Sequence, residues 1–380
     1  MTTTAIIPAS EQGLSASFQA FFQMLLGLEE IRGLLVPLRS AVGPMPMPTL
    51  VTDPEMLSNA APLSPAFPLN AARLLARLTR NPIGGKIAAV LRPCEIRAFI
   101  ELVKLKQGRT DELILIGIDC MGAFRNRDAA ALVSDDPIKS DDDFCRAMLA
   151  GSEVLPEGMV LATACRACEY PLPEKADLAV HLIGADLQKG LPVTAGSKAG
   201  EALIREMDLS REDVSSDRGT AVEAFIAERI VYRDRMFADT AEAVGSLEKL
   251  SRYFAACVNC YNCRVACPVC YCRECVFLTG AFDHEPYQYL RWARRKGAIK
   301  MPTDTMFYHL TRLAHMSTAC VGCGQCSNAC PNDIPVMELF RTVAHGTQQA
   351  FGYTAGRSID DPPPLSVFRE DEFQEVVGIK

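Results

Sequence analysis

Apolar and polar positions alternate with two different periods along the first 250 residues, and the change of period marks the elements. "LSASFQAFFQMLLGLEE" (14–30) carries apolar residues at helical spacing behind a polar start, which predicts a helix. "IRGLLVPL" and "TLVTD" predict short strands, and "LNAARLLARLTRN" (69–81) a helix. "KIAAVLR" (86–92) and "ELILIGID" (112–119) are continuous apolar runs, the pattern of strands buried on both faces. Between them "PCEIRAFIELVKLKQG" predicts a helix, with Pro93 in its first turn and Gly108 at its stop. Strand, helix and strand at this spacing form a βαβ unit and imply a partly parallel sheet. "ADLAVHLIG" (176–184) predicts a further strand. Residues 219–256 are helical in pattern, with Gly245 the expected break.

Periodicity, and for the second region the cysteine spacing, divides the chain into three regions. Residues 1–250 form an α/β domain with a mixed, partly parallel sheet; 251–352 form a two-cluster ferredoxin-like α+β domain with a helical insert; 353–380 are an extended surface tail. The chain has 380 residues and a net charge of −7, which argues against a nucleic-acid partner. No apolar run reaches the roughly 18–20 residues of a membrane span. The start, "MTTTAIIPAS", lacks a basic region ahead of an apolar one, so a cytoplasmic protein is expected.

Sixteen cysteines change the picture. Disulfides suit short secreted chains, whereas clustered cysteines in a long chain suit metal ligation. Seven of them fall between Cys257 and Cys275. Cys257, Cys260, Cys263 and Cys267 precede Pro268, and Cys320, Cys323, Cys326 and Cys330 precede Pro331. Both runs read C-x2-C-x2-C-x3-C-P, the spacing in which three thiolates hold one 4Fe-4S cluster and the fourth ligates the other. One cluster is therefore assigned to Cys257, Cys260, Cys263 and Cys330, and a second to Cys320, Cys323, Cys326 and Cys267. Zinc knuckles use paired C-x2-C units, which these runs exceed. The 52 residues between Cys267 and Cys320 hold an insert read as helical from "PYQYLRWARRKG" and "MFYHLTRLAHM".

Cys270, Cys272 and Cys275 follow as C-x-C-x2-C. They fit a further metal site, with His284, His309 or His315 as a fourth ligand, or else buried packing thiols. Upstream lie Cys94, Cys120, Cys145, Cys165 and Cys168. Cys94 opens a helix after one buried strand and Cys120 closes the next, so both belong to the C-terminal edge of a parallel sheet, where sites form. With the C-x2-C pair Cys165 and Cys168 they make four thiolates and a candidate third cluster.

"AAVLRPCEIRAFIELVKLKQ", "IGIDCMGAF", "CRACEYPLPEKADLAV", "CYNCRVACPVCYCREC", "HMSTACVGCGQCSNACP" and "FGYTAGR" resemble the beta subunits of deazaflavin-coenzyme-dependent hydrogenases and formate dehydrogenases, the formate dehydrogenase subunit in particular. The resemblance implies FAD and at least three 4Fe-4S clusters, the third on Cys94, Cys120, Cys165 and Cys168. It implies an oxidoreductase subunit that moves electrons between a two-electron carrier (deazaflavin coenzyme, NAD(P)H or ferredoxin) and partner subunits. Those partners are a catalytic formate dehydrogenase or hydrogenase subunit, or heterodisulfide reductase subunits, and the formate-oxidising centre lies on another chain. No Gly-rich turn follows a predicted strand, so flavin contacts are placed at the first helix start, on Gly13, Ser15 and Ser17, with Arg92 facing flavin or cluster. Two other readings are a flavin-free iron–sulfur wire and a zinc-stabilised interaction module.

Overall fold

The computed structural model describes residues 3–40, 43–82, 84–131, 136–151, 159–211, 217–272, 274–280, 285–296 and 304–367. The strands are β1 (Thr4–Pro8), β2 (Ile31–Ser40), β3 (Gly43–Val51), β4 (Lys86–Leu91), β5 (Leu113–Ile118), β6 (Leu178–Val180) and β7 (Gly190–Ala195). In the first part of the chain the helices are α1 (Leu14–Leu26), α2 (Ala72–Leu78), α3 (Pro93–Lys104), α4 (Asn126–Ala131), α5 (Pro137–Leu149), α6 (Thr163–Arg166) and α7 (Lys198–Glu206). They continue as α8 (Arg218–Val244), α9 (Leu247–Tyr253), α10 (Asn262–Ala266), α11 (Pro286–Lys296), α12 (Asp304–Met316), α13 (Gln325–Asn328) and α14 (Val336–Ala350). All seven strands form one sheet in the order β1-β7-β6-β5-β4-β2-β3. The central pairs β2/β4, β4/β5 and β5/β6 are parallel, and β1/β7, β6/β7 and β2/β3 are antiparallel, so the sheet is mixed as expected.

Strand alternation assigns the two faces. Leu34, Ala88, Val90, Ile114, Ile116 and Ile118 point to one side, onto Phe18, Phe21, Phe22 and Leu25 of α1. Leu35, Ala89, Leu91, Leu113 and Leu115 point to the other, onto α2 and α3. The second core does not stop at residue 250. It continues through Phe254, Tyr308, Val321, Ile334 and Phe340, so the cysteine-rich part packs directly on the α2–α3 side of the sheet.

The strand expected over 176–184 shrinks to β6, because the chain after Val180 turns to donate the Leu182 and Ile183 amides to Asp119 Oδ2 at 2.9 and 3.1 Å. Pro93 and Gly245 act as expected, the first at the start of α3 and the second ending α8. Part of the segment read as a surface tail is interior: Tyr353 and Ala355 are buried. The reason is a buried polar knot on α3. Glu101 Oε1 accepts from the Gly356 amide at 2.6 Å and the Tyr353 hydroxyl at 2.7 Å, and pairs with Lys104 Nζ at 2.6 Å.

Both members of that ion pair have side chains only 2% exposed, so removing one strands a charge in the interior. Glu101→Ala should lower unfolding free energy by about 3–5 kcal/mol, and Tyr353→Phe by about 1–2 kcal/mol, each read from chemical denaturation of anaerobically prepared protein.

Candidate iron–sulfur centres

β4 and β5 run parallel with Leu91 opposite Gly117, so their C-terminal ends lie side by side. That places Cys94, in the first turn of α3, next to Cys120, just past β5. α6 brings Cys165 to the same spot, and Cys168 follows it. One cavity is lined by Cys94, Cys120, Cys165 and Cys168 together with Cys323 of the second ferredoxin run. Close approach of that run needs Gly324 (φ +78°): a Cβ there would lie 2.4 Å from the Ala164 Cβ.

Arginines, not carboxylates, surround this cavity. Arg92 Nη1 donates to Gly122 O at 3.1 Å and lies 3.7 Å from Cys120 Sγ, while Nη2 donates to Ser64 O at 2.5 Å. Arg92 therefore faces the cysteines. Asp119, a conceivable partner for it, binds Arg218 at 2.7 Å instead. Against the cost of burial, His181 and Arg218 hold the Asp119 carboxyl below its usual range. Arg229 reaches into the same cavity and donates to Met121 O at 2.8 Å.

The two ferredoxin runs share one backbone. The residues before and after the second cysteine are left-handed in both: Asn259 (φ 53°) and Tyr261 (φ 61°) in the first, Gly322 (φ 71°) and Gly324 (φ 78°) in the second. Such turns aim successive amides inward and make the anion-binding concavities seen around iron–sulfur sites. Cys257, Cys260, Cys263 and Cys330 line one small cavity. Cys267, at the end of the first run, lies instead in the electrostatic neighbourhood of Cys320, Cys323 and Cys326. The structure thus gathers both crossed sets. Burial pushes the Cys94, Cys323 and Cys326 thiols well above their ordinary value, so each would give up its proton only to a metal.

Among the described residues, no three His, Cys, Asp or Glu side chains converge on a single ion. A cubane presents a separate iron to each thiolate, so its ligands stand further apart than those of one zinc. The same observation applies to Cys270, Cys272 and Cys275. Cys272 is exposed, and burial beside Cys267 pushes Cys270 up to about 11. Of their candidate fourth ligands, His284 lies outside the described residues and His315 is exposed. His309 lies elsewhere, with Nε2 3.4 Å from Cys257 Sγ and its ring stacked on Phe254 at 3.8 Å. Burial, reinforced by Arg312, lowers the His309 imidazole to about 3 and keeps it neutral. Cys145 is a buried packing thiol, which burial pushes up to about 12.

Gly13, Ser15 and Ser17 do begin α1, but the donors expected there are engaged. Asp142 Oδ1 accepts from the Ser15 amide at 3.0 Å and the Ser15 hydroxyl at 2.5 Å, and Ser17 Oγ accepts from the Ser10 amide at 2.9 Å. A carboxylate of this chain stands where a pyrophosphate was expected. Sequence reasoning missed Asp142, Arg229 and Arg312, each an isolated residue whose role depends on distant segments.

Comparison with known proteins places this arrangement. The 4Fe-4S dicluster domain family matches residues 269–335, which spans the second ferredoxin run and the C-x-C-x2-C triplet and begins after Cys267. This stretch is thus similar to 4Fe-4S dicluster domains. The F420-dependent formate dehydrogenase subunit beta of Methanocaldococcus jannaschii is 27% identical over 97% of this chain and 98% of its own length. The F420-dependent formate dehydrogenase 1 subunit beta of Methanococcus maripaludis is 26% identical over 95% of each. The chain is thus similar, along nearly its whole length, to two formate dehydrogenase beta subunits, which are oxidoreductase subunits. A chain of the F420-reducing [NiFe] hydrogenase complex of Methanosarcina barkeri aligns with a TM-score of 0.45 and 12% identity, over 65% of this chain and 94% of that one. Among the described residues, no helix is long and apolar enough to cross a membrane.

Because Asp142 caps α1 through Ser15, Ser15→Ala should cost about 1–3 kcal/mol of stability. It should leave the flavin content of the anaerobically purified complex unchanged. Loss of flavin from a folded variant would return the helix start to the flavin site.

Proposed function

We propose that this chain is the electron-carrying subunit of a formate-dehydrogenase-type complex, with three thiolate sets arranged as a continuous file. The observation that carries the reading is Cys323. It belongs to the second ferredoxin set and also lines the cavity of Cys94, Cys120, Cys165 and Cys168. From there Cys267 and Cys330 cross between the two runs and tie the second set to the first. The file begins under the functional edge of the sheet and ends at Cys260, which is exposed.

The residues around the sets fit anionic clusters. Arg229 and Arg312 are buried and Arg92 partly so; among the described residues none forms an ion pair with a carboxylate, although the buried Glu95 acts on Arg92 from nearby. Arg312 Nε has no hydrogen-bond partner at all. Such cations require nearby negative charge, which cluster-bound thiolates provide. Bound 4Fe-4S clusters would supply one-electron transfer along the file. The chain's own residues position the thiolates and compensate their charge.

FAD enters this reading through the resemblance alone. Gly13, Ser15 and Ser17 do not fit its pyrophosphate, so no step is routed through it. The deazaflavin coenzyme and formate enter through the names of the relatives, and the formate-oxidising centre is placed on a partner subunit. Flavin quantified in complex purified without oxygen decides between a flavin-linked subunit and a flavin-free wire.

Three sets require more than about eight iron atoms per chain, the content of two cubanes. Eight or fewer in intact anaerobic protein removes the third set. Cys168→Ala should leave the ferredoxin clusters oxidised when reduced coenzyme is added, as followed by rapid-freeze EPR. Reduction at the normal rate would take that set off the path. Cys267→Ser should damage the cluster held mainly by Cys320, Cys323 and Cys326. Loss of the Cys257 cluster instead would reverse the crossover.

A further inference from the structure

The insert between the two ferredoxin runs does more than fill space. α12 lies against the first run only at a few places, and these converge on its cysteines. Thr305, at the start of the helix, donates to Asn259 Oδ1 at 2.8 Å and so anchors α12 to the first cysteine loop. Tyr308, one turn on, is 1% exposed and has its hydroxyl 3.4 Å from Cys263 Sγ. His309, also 1% exposed, has Nε2 3.4 Å from Cys257 Sγ. Arg312, 4% exposed, donates from Nη1 to Cys263 Sγ at 3.0 Å and from Nη2 to Cys263 O at 3.1 Å.

These contacts have a single sign. A ligating thiolate only accepts, so the Tyr308 hydroxyl, the His309 Nε2–H tautomer and the Arg312 guanidinium all serve as donors to it. The Arg312 bond is also charge-assisted and unshared with any carboxylate among the described residues. Hydrogen bonds and positive charge at cluster sulfurs stabilise the reduced state, whose cluster is one charge more negative, and so raise its reduction potential. The second run has a different wall. Its Gly322 packs against the Arg341 side chain, whose Nη2 pairs with Glu169, a carboxylate shared with Arg233; Arg341 and Arg97 act on Cys320 through space, without a direct bond to sulfur like that of Arg312.

We propose that α12 is a redox-tuning element, in which Tyr308, His309 and Arg312 hold the cluster of Cys257, Cys260, Cys263 and Cys330 at a higher potential than its ferredoxin partner. The inference rests on the assignment of that cluster made above. It makes the exposed end of the file the downhill end within the ferredoxin pair. Arg312 also lies near Cys267 and Cys326, so it acts on both clusters, and the direct bond to Cys263 makes its effect on the first the larger.

The test is an EPR-monitored redox titration of the intact complex, purified without oxygen, with iron and sulfide quantified in every sample. Arg312→Met should keep its iron and lower the reduction equilibrium of one ferredoxin cluster at least tenfold, about 59 mV for a one-electron couple. Arg312→Lys should recover part of that shift, and Tyr308→Phe should produce a smaller shift of the same sign in the same cluster. Unmoved potentials in a fully loaded Arg312→Met complex would overturn the proposal, and so would equal shifts in both ferredoxin clusters. If Arg312→Met sheds the cluster, Tyr308→Phe decides: a loaded variant with unchanged potential overturns tuning by this helix. Wild-type complex without iron at the Cys257 set would defeat the functional reading itself, a result distinct from a loaded cluster that does not shift.

Discussion

A guanidinium taken out of water must be met by negative charge, and in this chain three of them stand near cysteine sulfur, Arg92 with the buried Glu95 carboxylate close by as well. Arg92 lies beside Cys120, Arg229 lines the cavity of the first-domain cysteines, and Arg312 binds Cys263. An uncompensated buried cation is destabilising by several kcal/mol, and neutral thiols do not compensate it. Under the proposed function, ligated thiolates would supply that charge. Metal binding and folding are then one equilibrium, because the chain without its clusters holds buried cations as well as buried protonated thiols.

The same constraint explains why the cysteine-rich part is packed against the sheet and does not hang from it. A cluster shared between segments distant in sequence must be gripped by all of them at once. Cys323 meets Cys94 and Cys120 only because Gly324 allows the second run to touch α6, and the Asn126 amide fastens the same loop by donating to Asn328 Oδ1 at 2.7 Å. Arg97 of α3 reinforces the joint by donating to Ala355 O at 2.8 Å and Val321 O at 3.3 Å. The α8–α9 helical stretch therefore joins two parts that share one core.

What could be read from the sequence follows from range. β4, α3 and β5 were legible because their burial is written in continuous apolar runs and their ends in Pro93 and Asp119. The eight ferredoxin cysteines were legible because their spacing is local. β1 and β7 were not: β1 is a short edge strand, and the pairing that joins it to β7 spans almost the whole domain, with Thr4 opposite Thr194. The α1 start misled for the same reason. Its glycine and serines look like a phosphate cradle, and only the tertiary fold brings in the Asp142 carboxylate that occupies it. His309 was visible as a possible ligand of the Cys270 triplet but stands at Cys257, because Phe254 stacks on its ring and fixes it there.

The position of the insert has its own logic. Cys267 and Cys320 bound it and lie near one another, so a cluster ligated by both, as proposed, would pin the ends of the intervening 52 residues together. Closing a loop costs little more as it lengthens, so once the ends are fixed, added helices disturb neither cysteine loop. A helix grown at that point starts beside the clusters, and α12 returns over the first run through Thr305 and Phe254. A position that tolerates added residues is thus also one from which an added side chain can reach a cysteine sulfur of the first run.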